Sequence, residues 1–256
     1  MDPVVRRYLA DLVTTVRDVL GPDLVGVYAG GSVALDAYQP GRSDVDVALV
    51  CRDTLTQRTR QELVARLRHE ALPCPARGLE LVAYSRAVVG SGTPDPGFEV
   101  ELNTGPRMPF RATLAPTARP AADGHFWYGL DRSILHQRGH PLSGPSAGEI
   151  FAELSPGDLR DLLVAALGWW LARPAPPGDG PAPGAEDAVL GACRALVRIR
   201  DGDWLSKVAA GRRVIALGQD PELVQRCVSA RSGGPAPGVA EARAFQQRVL
   251  DEVAGG

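Results

Sequence analysis

Residues 30–46 combine side-chain types and spacings suited to chemistry on a phosphate. Gly31-Ser32 follows an apolar run, and Asp44 and Asp46 stand one residue apart where the next apolar run begins. Side chains alternate along a strand, so these two carboxylates point to one face and can hold a divalent cation. A Gly-Ser turn that enters a helix offers backbone N–H groups to phosphate oxygens. The pattern predicts adjacent sites for a metal ion and a polyphosphate.

Glu80 is a third candidate because it lies within an apolar run, residues 78–84. A buried charge is costly unless a metal ion or an ionic partner compensates it. If this strand neighbours the one that carries Asp44 and Asp46, Glu80 can accept a proton from an attacking hydroxyl. In the alternative, Glu80 points outward from a half-exposed strand, and the sequence favours neither reading.

Glu99 and Glu101 compete for the same role. They alternate with apolar residues in 98–102. Such alternation predicts an edge strand whose acidic face is exposed to water.

Composition excludes several classes of protein. The chain has 256 residues, enough for two domains, and its formal charge of -2 argues against a nucleic-acid binder with a broad basic surface. Its four cysteines are scattered without metal-site spacing, and no signal-peptide pattern or membrane-length apolar run is visible. We expect no membrane partner and a reduced, cytoplasmic location.

The elements that would position these residues follow from periodicity and turn signals. We predict helices at 3–20, 32–38 and 54–70, strands at 24–29, 44–50 and 78–84, and loops at 85–97 and 105–123. Residues 125–136 could form a strand or a helix. Further along, helices are predicted at 159–171, 186–200, 204–217, 221–230 and 239–253. The pattern indicates an α+β domain over 1–148 and an α-helical bundle over 149–256.

Gly-Ser followed, after a short spacer, by Asp-x-Asp resembles the signature of the polymerase-β-like nucleotidyltransferase superfamily. With a helical bundle after it, nearly the whole chain resembles the aminoglycoside 3''-adenylyltransferase family, which modifies streptomycin and spectinomycin. The matching pieces are Gly31-Ser32, residues 43–46, Glu80 in its strand, the Gly144-Pro145 turn, the helix around Arg194, and Ser206-Lys207.

The resemblance implies roles for these residues. Asp44 and Asp46 would hold Mg²⁺, and Glu80 would be the general base. The phosphates of ATP would be bound by Gly31, Ser32, Arg194 and Lys207. Lys207 is the only lysine in the chain, which favours a specific role. The alternative for Lys207 is an ordinary exposed lysine, and the alternative for Arg194 is an ordinary surface arginine.

The implied reaction transfers AMP from ATP to a hydroxyl of an aminoglycoside, which gives antibiotic resistance, and the expected enzyme is a monomer. Candidates for drug contact are Trp169, Trp170, Asp179, Glu186 and Asp187. The loop at 173–185 is rich in proline and glycine and departs from the family by keeping only Asp179 as an acid. Two alternatives therefore stay open. One is a nucleotidyltransferase that modifies a protein or a metabolite, and the other is a non-catalytic nucleotide-binding relative.

Overall fold

The computed structural model describes residues 1–174, 180–182 and 184–255. The chain divides into two units, Met1–Ser155 and Pro156–Gly256. The first unit extends beyond residue 148 because Ile150 and Phe151 complete its core: the Phe151 ring lies edge-on to that of Tyr28, with the centroids 5.2 Å apart.

A six-stranded mixed sheet forms the centre of the first unit, in the order β5-β4-β3-β2-β1-β6. The strands are β1 Leu24–Ala29, β2 Val45–Cys51, β3 Leu79–Ser85, β4 Phe98–Gly105, β5 Met108–Thr113 and β6 His140–Ser143. Strands β2 and β3 pair in parallel, and the other named pairs are antiparallel. The sheet with its helices and the helical second unit confirm the predicted α+β class.

The helices of the first unit are α1 Pro3–Leu20, α2 Gly31–Ala34, α3 Gln57–Leu67, α4 Arg86–Val89, α5 Phe126–Arg138 and α6 Ala147–Ile150. Helix α1 begins where the Asp2 carboxylate accepts a hydrogen bond from the Val4 N–H at 2.8 Å, which satisfies an otherwise unpaired donor. Its apolar stripe, which includes Leu9, Leu12 and Val16, is buried. The prediction for 3–20 is therefore confirmed, whereas the helix predicted at 32–38 ends at Ala34.

The prediction of an exposed edge strand at 98–102 was wrong. Strand β4 lies between β3 and β5, and Glu99 and Glu101 are 7% and 5% exposed. Their carboxylates are buried because arginines neutralise them. Arg60 contacts Glu99 at 2.5 Å, and Arg119 pairs with Glu101. The edge position belongs to β5, which forms inside the predicted loop 105–123.

The undecided segment 125–136 is helical and forms α5. Arg132, which is 3% exposed, anchors this helix to the loop before β4. Its guanidinium donates to the carbonyl oxygens of Thr93, Asp95 and Pro96 at 2.7, 2.6 and 2.9 Å. A short helix, α4, also lies inside the predicted loop 85–97.

The second unit is built from helices, as predicted. Its described helices are α7 Pro156–Ala172, α8 Ala185–Asp201, α9 Lys207–Ala216, α10 Pro221–Ala230 and α11 Val239–Gly255. Helix α8 supplies fully buried side chains, among them Val189, Leu190 and Cys193. Gly211 on α9 allows a close approach, because a Cβ there would lie 2.7 Å from Leu190. Within the described residues, we find no helix with the length and apolarity needed to cross a membrane.

Candidate functional site

The parallel pairing of β2 and β3 places the predicted carboxylates side by side. Asp46 is the direct register partner of Glu80, and Asp44 comes immediately before β2. Register partners project to the same face of a sheet, as do residues two apart on one strand. The required condition, that the two strands are neighbours, is thus confirmed.

The Gly-Ser turn lies directly against Asp46. The Gly30 N–H donates to the carbonyl oxygen of Asp46 at 2.9 Å. Gly31 has a φ of +46°, and a Cβ added to it would lie 1.8 Å from the Asp46 carboxylate oxygen. Only glycine fits this position, because any side chain would displace the carboxylate.

Ser32 presents a buried hydroxyl at this turn. Within the described part of the chain, its oxygen has no hydrogen-bond partner. Buried polar groups are usually satisfied, so an orphaned hydroxyl in the turn that lies against Asp46 points to a bound polar ligand.

Arg77, which sequence reasoning missed, holds one of the carboxylates. Its guanidinium donates to Asp44 at 2.9 Å, and the Arg77 side chain is 48% exposed. The backbone N–H of Arg77 donates to the Ser43 carbonyl at 3.1 Å, which fixes the segment before β3 next to the start of β2. Asp44 therefore already has a cationic partner.

Glu80 faces other carboxylates. Burial raises the pKa of Glu80 from 4.5 to about 7, and the negative charges of Asp44 and Asp131 add to the shift, while Arg77 and Arg111 oppose it. Glu80 is partly buried among charged side chains, and its role as general base stays a prediction. A carboxyl group with a pKa near neutrality is suited to accept and release a proton.

Asp131 on α5 was also missed. Residues 125–136 could have been a strand or a helix, and no motif marks this aspartate, so no sequence signal pointed to it.

No three His, Cys, Asp or Glu side chains of the described residues form a group that could hold a metal ion. Mg²⁺ usually takes only one or two protein carboxylates and completes its shell with phosphate oxygens and water. Asp44 and Asp46, two residues apart at the start of β2, fit a cation of that kind.

In the second unit, the carboxylate of Asp187 contacts one candidate phosphate ligand, Lys207, and one further cation, Arg231. The Lys207 ammonium lies 3.4 Å from Asp187, and the Arg231 guanidinium pairs with the same carboxylate oxygen. Burial lowers the pKa of Lys207, the positive charges of Arg194 and Arg231 lower it further, and Asp187 opposes them. The Arg194 guanidinium stacks over the Trp204 ring, 5.5 Å from its centroid. Arg231 is a residue that the sequence did not single out.

The candidate drug-contact residues have diverse surroundings. Trp169 and Trp170 on α7 meet edge to face with centroids 5.1 Å apart, and Trp170 is 39% exposed. Glu186 is 7% exposed, and its carboxylate accepts a hydrogen bond from the Gly184 N–H at 3.0 Å, so it serves the start of α8. Asp187 belongs to the cationic cluster just described. Asp179 lies outside the described residues.

No protein-family model matches the chain, and no curated protein matches it by sequence. Among solved structures, the chain is similar to the spectinomycin adenyltransferase AAD(9) from Enterococcus faecialis, whose crystal structure contains ATP and spectinomycin. The TM-score is 0.67 at 14% sequence identity, and the match covers 97% of this chain and 98% of that chain. Over nearly its whole length, this chain therefore has the α+β fold of that adenyltransferase.

Proposed function

We propose that the protein is a nucleotidyltransferase that transfers AMP from ATP to a hydroxyl of an aminoglycoside of the streptomycin and spectinomycin type. The observation that carries this proposal is the register of the parallel pair β2–β3, which sets Asp46 beside Glu80 and against the Gly31-Ser32 turn. The shared fold supports it, because the similar adenyltransferase was crystallised with ATP and spectinomycin.

Asp44 and Asp46 would hold Mg²⁺, which would neutralise phosphate charge and make the α-phosphorus more electrophilic. The Ser32 hydroxyl and the backbone N–H groups of the turn bind phosphate oxygens as donors. The family resemblance also assigns Arg194 and Lys207 to phosphate binding, Arg through its planar fork and Lys as a mobile point charge.

Glu80 acts as the general base. It takes the proton of the acceptor hydroxyl while that oxygen forms a bond to the α-phosphorus. The bond between the α-phosphorus and the bridging oxygen breaks, and pyrophosphate leaves with that electron pair. Glu80 then releases its proton to water, and because its pKa is raised only to about 7, part of the population returns to the basic form at neutral pH.

The acceptor class rests on the ligand of the similar adenyltransferase. Adenylylation of an aminoglycoside would add a bulky anion to the drug and give resistance. Because ATP is a cytoplasmic metabolite, we expect the enzyme to act there, as a monomer.

The test is a transfer assay with ATP labelled at the α-phosphate, Mg²⁺ and a panel of aminoglycosides. We expect labelled drug and released pyrophosphate with the wild type, and a loss of at least about 100-fold with Glu80→Gln, in line with the usual contribution of general-base catalysis. Asp46→Asn should lose activity as well. Glu62→Gln, which alters an exposed acid of the same unit, should retain wild-type activity.

Two results would contradict the proposal. Label found on protein or on a metabolite, with none on any drug, would assign a different acceptor. ATP binding without transfer to any acceptor would indicate a non-catalytic nucleotide-binding protein.

A further inference from the structure

A row of polar side chains runs across four strands of the first unit. Strand register pairs Asp46 on β2 with Glu80 on β3. It also pairs Glu80 with Asn103 on β4, and Asn103 with Arg111 on β5. Register partners project to the same face of a sheet, and neighbouring strands lie about 4.8 Å apart. Asn103 therefore flanks the proposed general base on the side opposite Asp46.

Asparagine is an unusual choice at this position. Asn103 is the only asparagine in the chain, and it lies inside β4. Asparagine is depleted in strands, and its φ here is not positive, so a left-handed backbone does not account for it. The β4–β5 register shifts between Asn103 and Gly105, and such irregularities are frequent beside active sites. A residue that breaks a local preference in this way indicates a functional constraint.

Arg111 fixes the direction of the Asn103 amide. With the amide oriented to satisfy its surroundings, its oxygen accepts from Nη2 of Arg111 at 2.9 Å, and its nitrogen donates to the Leu102 carbonyl at 3.3 Å. Nη2 of Arg111 also donates to Glu101 at 3.1 Å, and Glu101 is buried and paired with Arg119. The amide is thus held by a network that begins inside the sheet, and a group held in this way is pre-oriented for a ligand.

The amide nitrogen keeps the capacity to donate to a ligand. An amide carries two N–H groups, and the contact with Leu102 uses one of them. Asn103 and Glu80 are both only partly buried, so a molecule above the sheet can reach the two side chains together. An uncharged N–H donor suits a hydroxyl or ether oxygen, and these groups are abundant on a sugar-like acceptor.

The strand order gives the proposed site two sides. The Gly31-Ser32 turn follows β1 and lies against Asp46, so the proposed phosphate side lies towards β1. In phosphoryl transfer the attacking and leaving oxygens are roughly in line, on opposite sides of the phosphorus. With the leaving phosphates towards β1, the attacking hydroxyl and the molecule that carries it lie towards β3 and β4.

We propose that Asn103 binds the acceptor molecule. Its amide N–H donates to an oxygen of the aminoglycoside next to the hydroxyl that Glu80 deprotonates, and Arg111 holds the amide in that direction. This inference rests on the proposed function and deepens it, because it assigns a side chain of the first unit to the acceptor.

A purely structural role would behave differently. If Asn103 only joined β4 to β5 through Arg111, replacing it would change stability and leave the Michaelis constants of both substrates as they are. The proposal instead requires a selective rise in KM for the acceptor.

The experiment measures AMP transfer from labelled ATP to spectinomycin by the full chain, with each substrate varied in turn. We expect Asn103→Ala to raise KM for spectinomycin about fivefold, as the loss of one neutral hydrogen bond would, with kcat and KM for ATP within about twofold of wild type. Calorimetry of spectinomycin binding, with Mg²⁺ and a non-hydrolysable ATP analogue present, should show the same loss of affinity without turnover.

A double-mutant cycle tests the part played by Arg111. We expect Arg111→Gln alone to raise KM for spectinomycin about twofold to threefold, because the amide is no longer held. It should add little when residue 103 is already alanine, since Arg111 acts through Asn103. Additive effects of the two substitutions would overturn the orienting role of Arg111.

Gln61 provides a matched control. It is an exposed residue on α3 of the same unit, so Gln61→Ala also removes a side-chain amide. We expect this variant to keep wild-type values of kcat and of both Michaelis constants.

The outcomes separate this inference from the proposed function. A wild type that transfers AMP to no aminoglycoside overturns the proposed function and the acceptor role of Asn103 with it. An active wild type, together with an Asn103→Ala variant of equal KM for spectinomycin, overturns the role of Asn103 alone. Equal rises in KM for ATP and for spectinomycin also count against it, because they show a general disturbance of the site. If Asn103→Ala fails to fold, Asn103→Val, which favours a strand, decides by the same selective rise or its absence.

Discussion

Carboxylates on adjacent strands of the same sheet have different surroundings. Glu101 on β4 pairs with Arg119 and Arg111, and these arginines allow it to be buried. Burial raises the pKa of Glu80 on β3, and the nearby carboxylates of Asp44 and Asp131 raise it further. Residue type is the same in both cases, and the charges nearby determine whether the side chain can serve proton transfer.

We predict that Glu80 lowers the stability of the ligand-free protein at high pH. The pKa of Glu80 in the folded chain, about 7, lies above its ordinary value of 4.5. The free energy of unfolding is highest below pH 4.5, where Glu80 is protonated in both states. It falls as the pH rises through about 7, because the folded chain must then hold a charged carboxylate. The stability of Glu80→Gln relative to the wild type should therefore increase by about 1 kcal/mol between about pH 5 and about pH 8. We keep this figure small because the carboxyl is only partly buried.

Urea denaturation at both pH values, with a chelator present and no nucleotide, measures this difference. Glu62→Gln, in an exposed position, should show a difference from wild type that does not vary with pH. The same flat response in Glu80→Gln would show that Glu80 titrates normally.

At the scale of elements, the central pair β2–β3 carries the site because parallel strands need a crossover, which α3 provides. The apolar runs at 44–50 and 78–84 predicted two buried strands, and β2 and β3 lie close to those bounds. The alternating pattern of β4 was misleading, since arginines from α3 and from the segment after β5 bury its acidic face. An alternating sequence cannot show whether such partners will arrive.

The turn between β1 and α2 offers a test at this scale. Gly31→Ala introduces a Cβ that would lie 1.8 Å from the Asp46 carboxylate, at a φ of +46°. We expect AMP transfer to fall at least about 100-fold, because Asp46 must move, and stability to fall by about 1–2 kcal/mol.

Gly41→Ala is the matched control, because Gly41 also has a positive φ, +78°, but open space around its Cβ position. The Gly41→Ala variant should lose about 1 kcal/mol of stability through backbone strain and keep its transferase activity. Denaturation curves and the transfer assay on both variants distinguish the two effects. Full activity in Gly31→Ala would mean that the Asp46 position is not needed.

At the scale of the whole molecule, each unit has its own buried core and contains two of the four free cysteines. Cys51 and Cys74 lie in the first unit, and Cys193 and Cys227 lie in the second, all at most 4% exposed. Burial raises the pKa of the Cys51 and Cys227 thiols to about 12. Such thiols react only after the surrounding structure opens.

We therefore predict that a thiol reagent labels none of the four cysteines in the native chain on the timescale that labels all of them in strong denaturant. With rising urea, labelling should occur in pairs, Cys51 with Cys74 and Cys193 with Cys227, because each pair is exposed when its own unit unfolds. Mass spectrometry of labelled peptides gives the order. Rapid labelling of one cysteine without its pair mate would show that the unit opens locally.

The sequence by itself determined the long helices, the strands β1, β2 and β3, the α+β class, and the Gly31-Ser32 and Asp44-x-Asp46 motif. Caps, turns and periodicity act over a few residues, so they can be read locally. Only the tertiary structure decided that Glu80 pairs with Asp46, that Glu99 and Glu101 are buried, and that Arg231 meets Asp187. These outcomes depend on strand register and on ion pairs between residues far apart in the chain, because burial and charge compensation come from partners that no local pattern identifies.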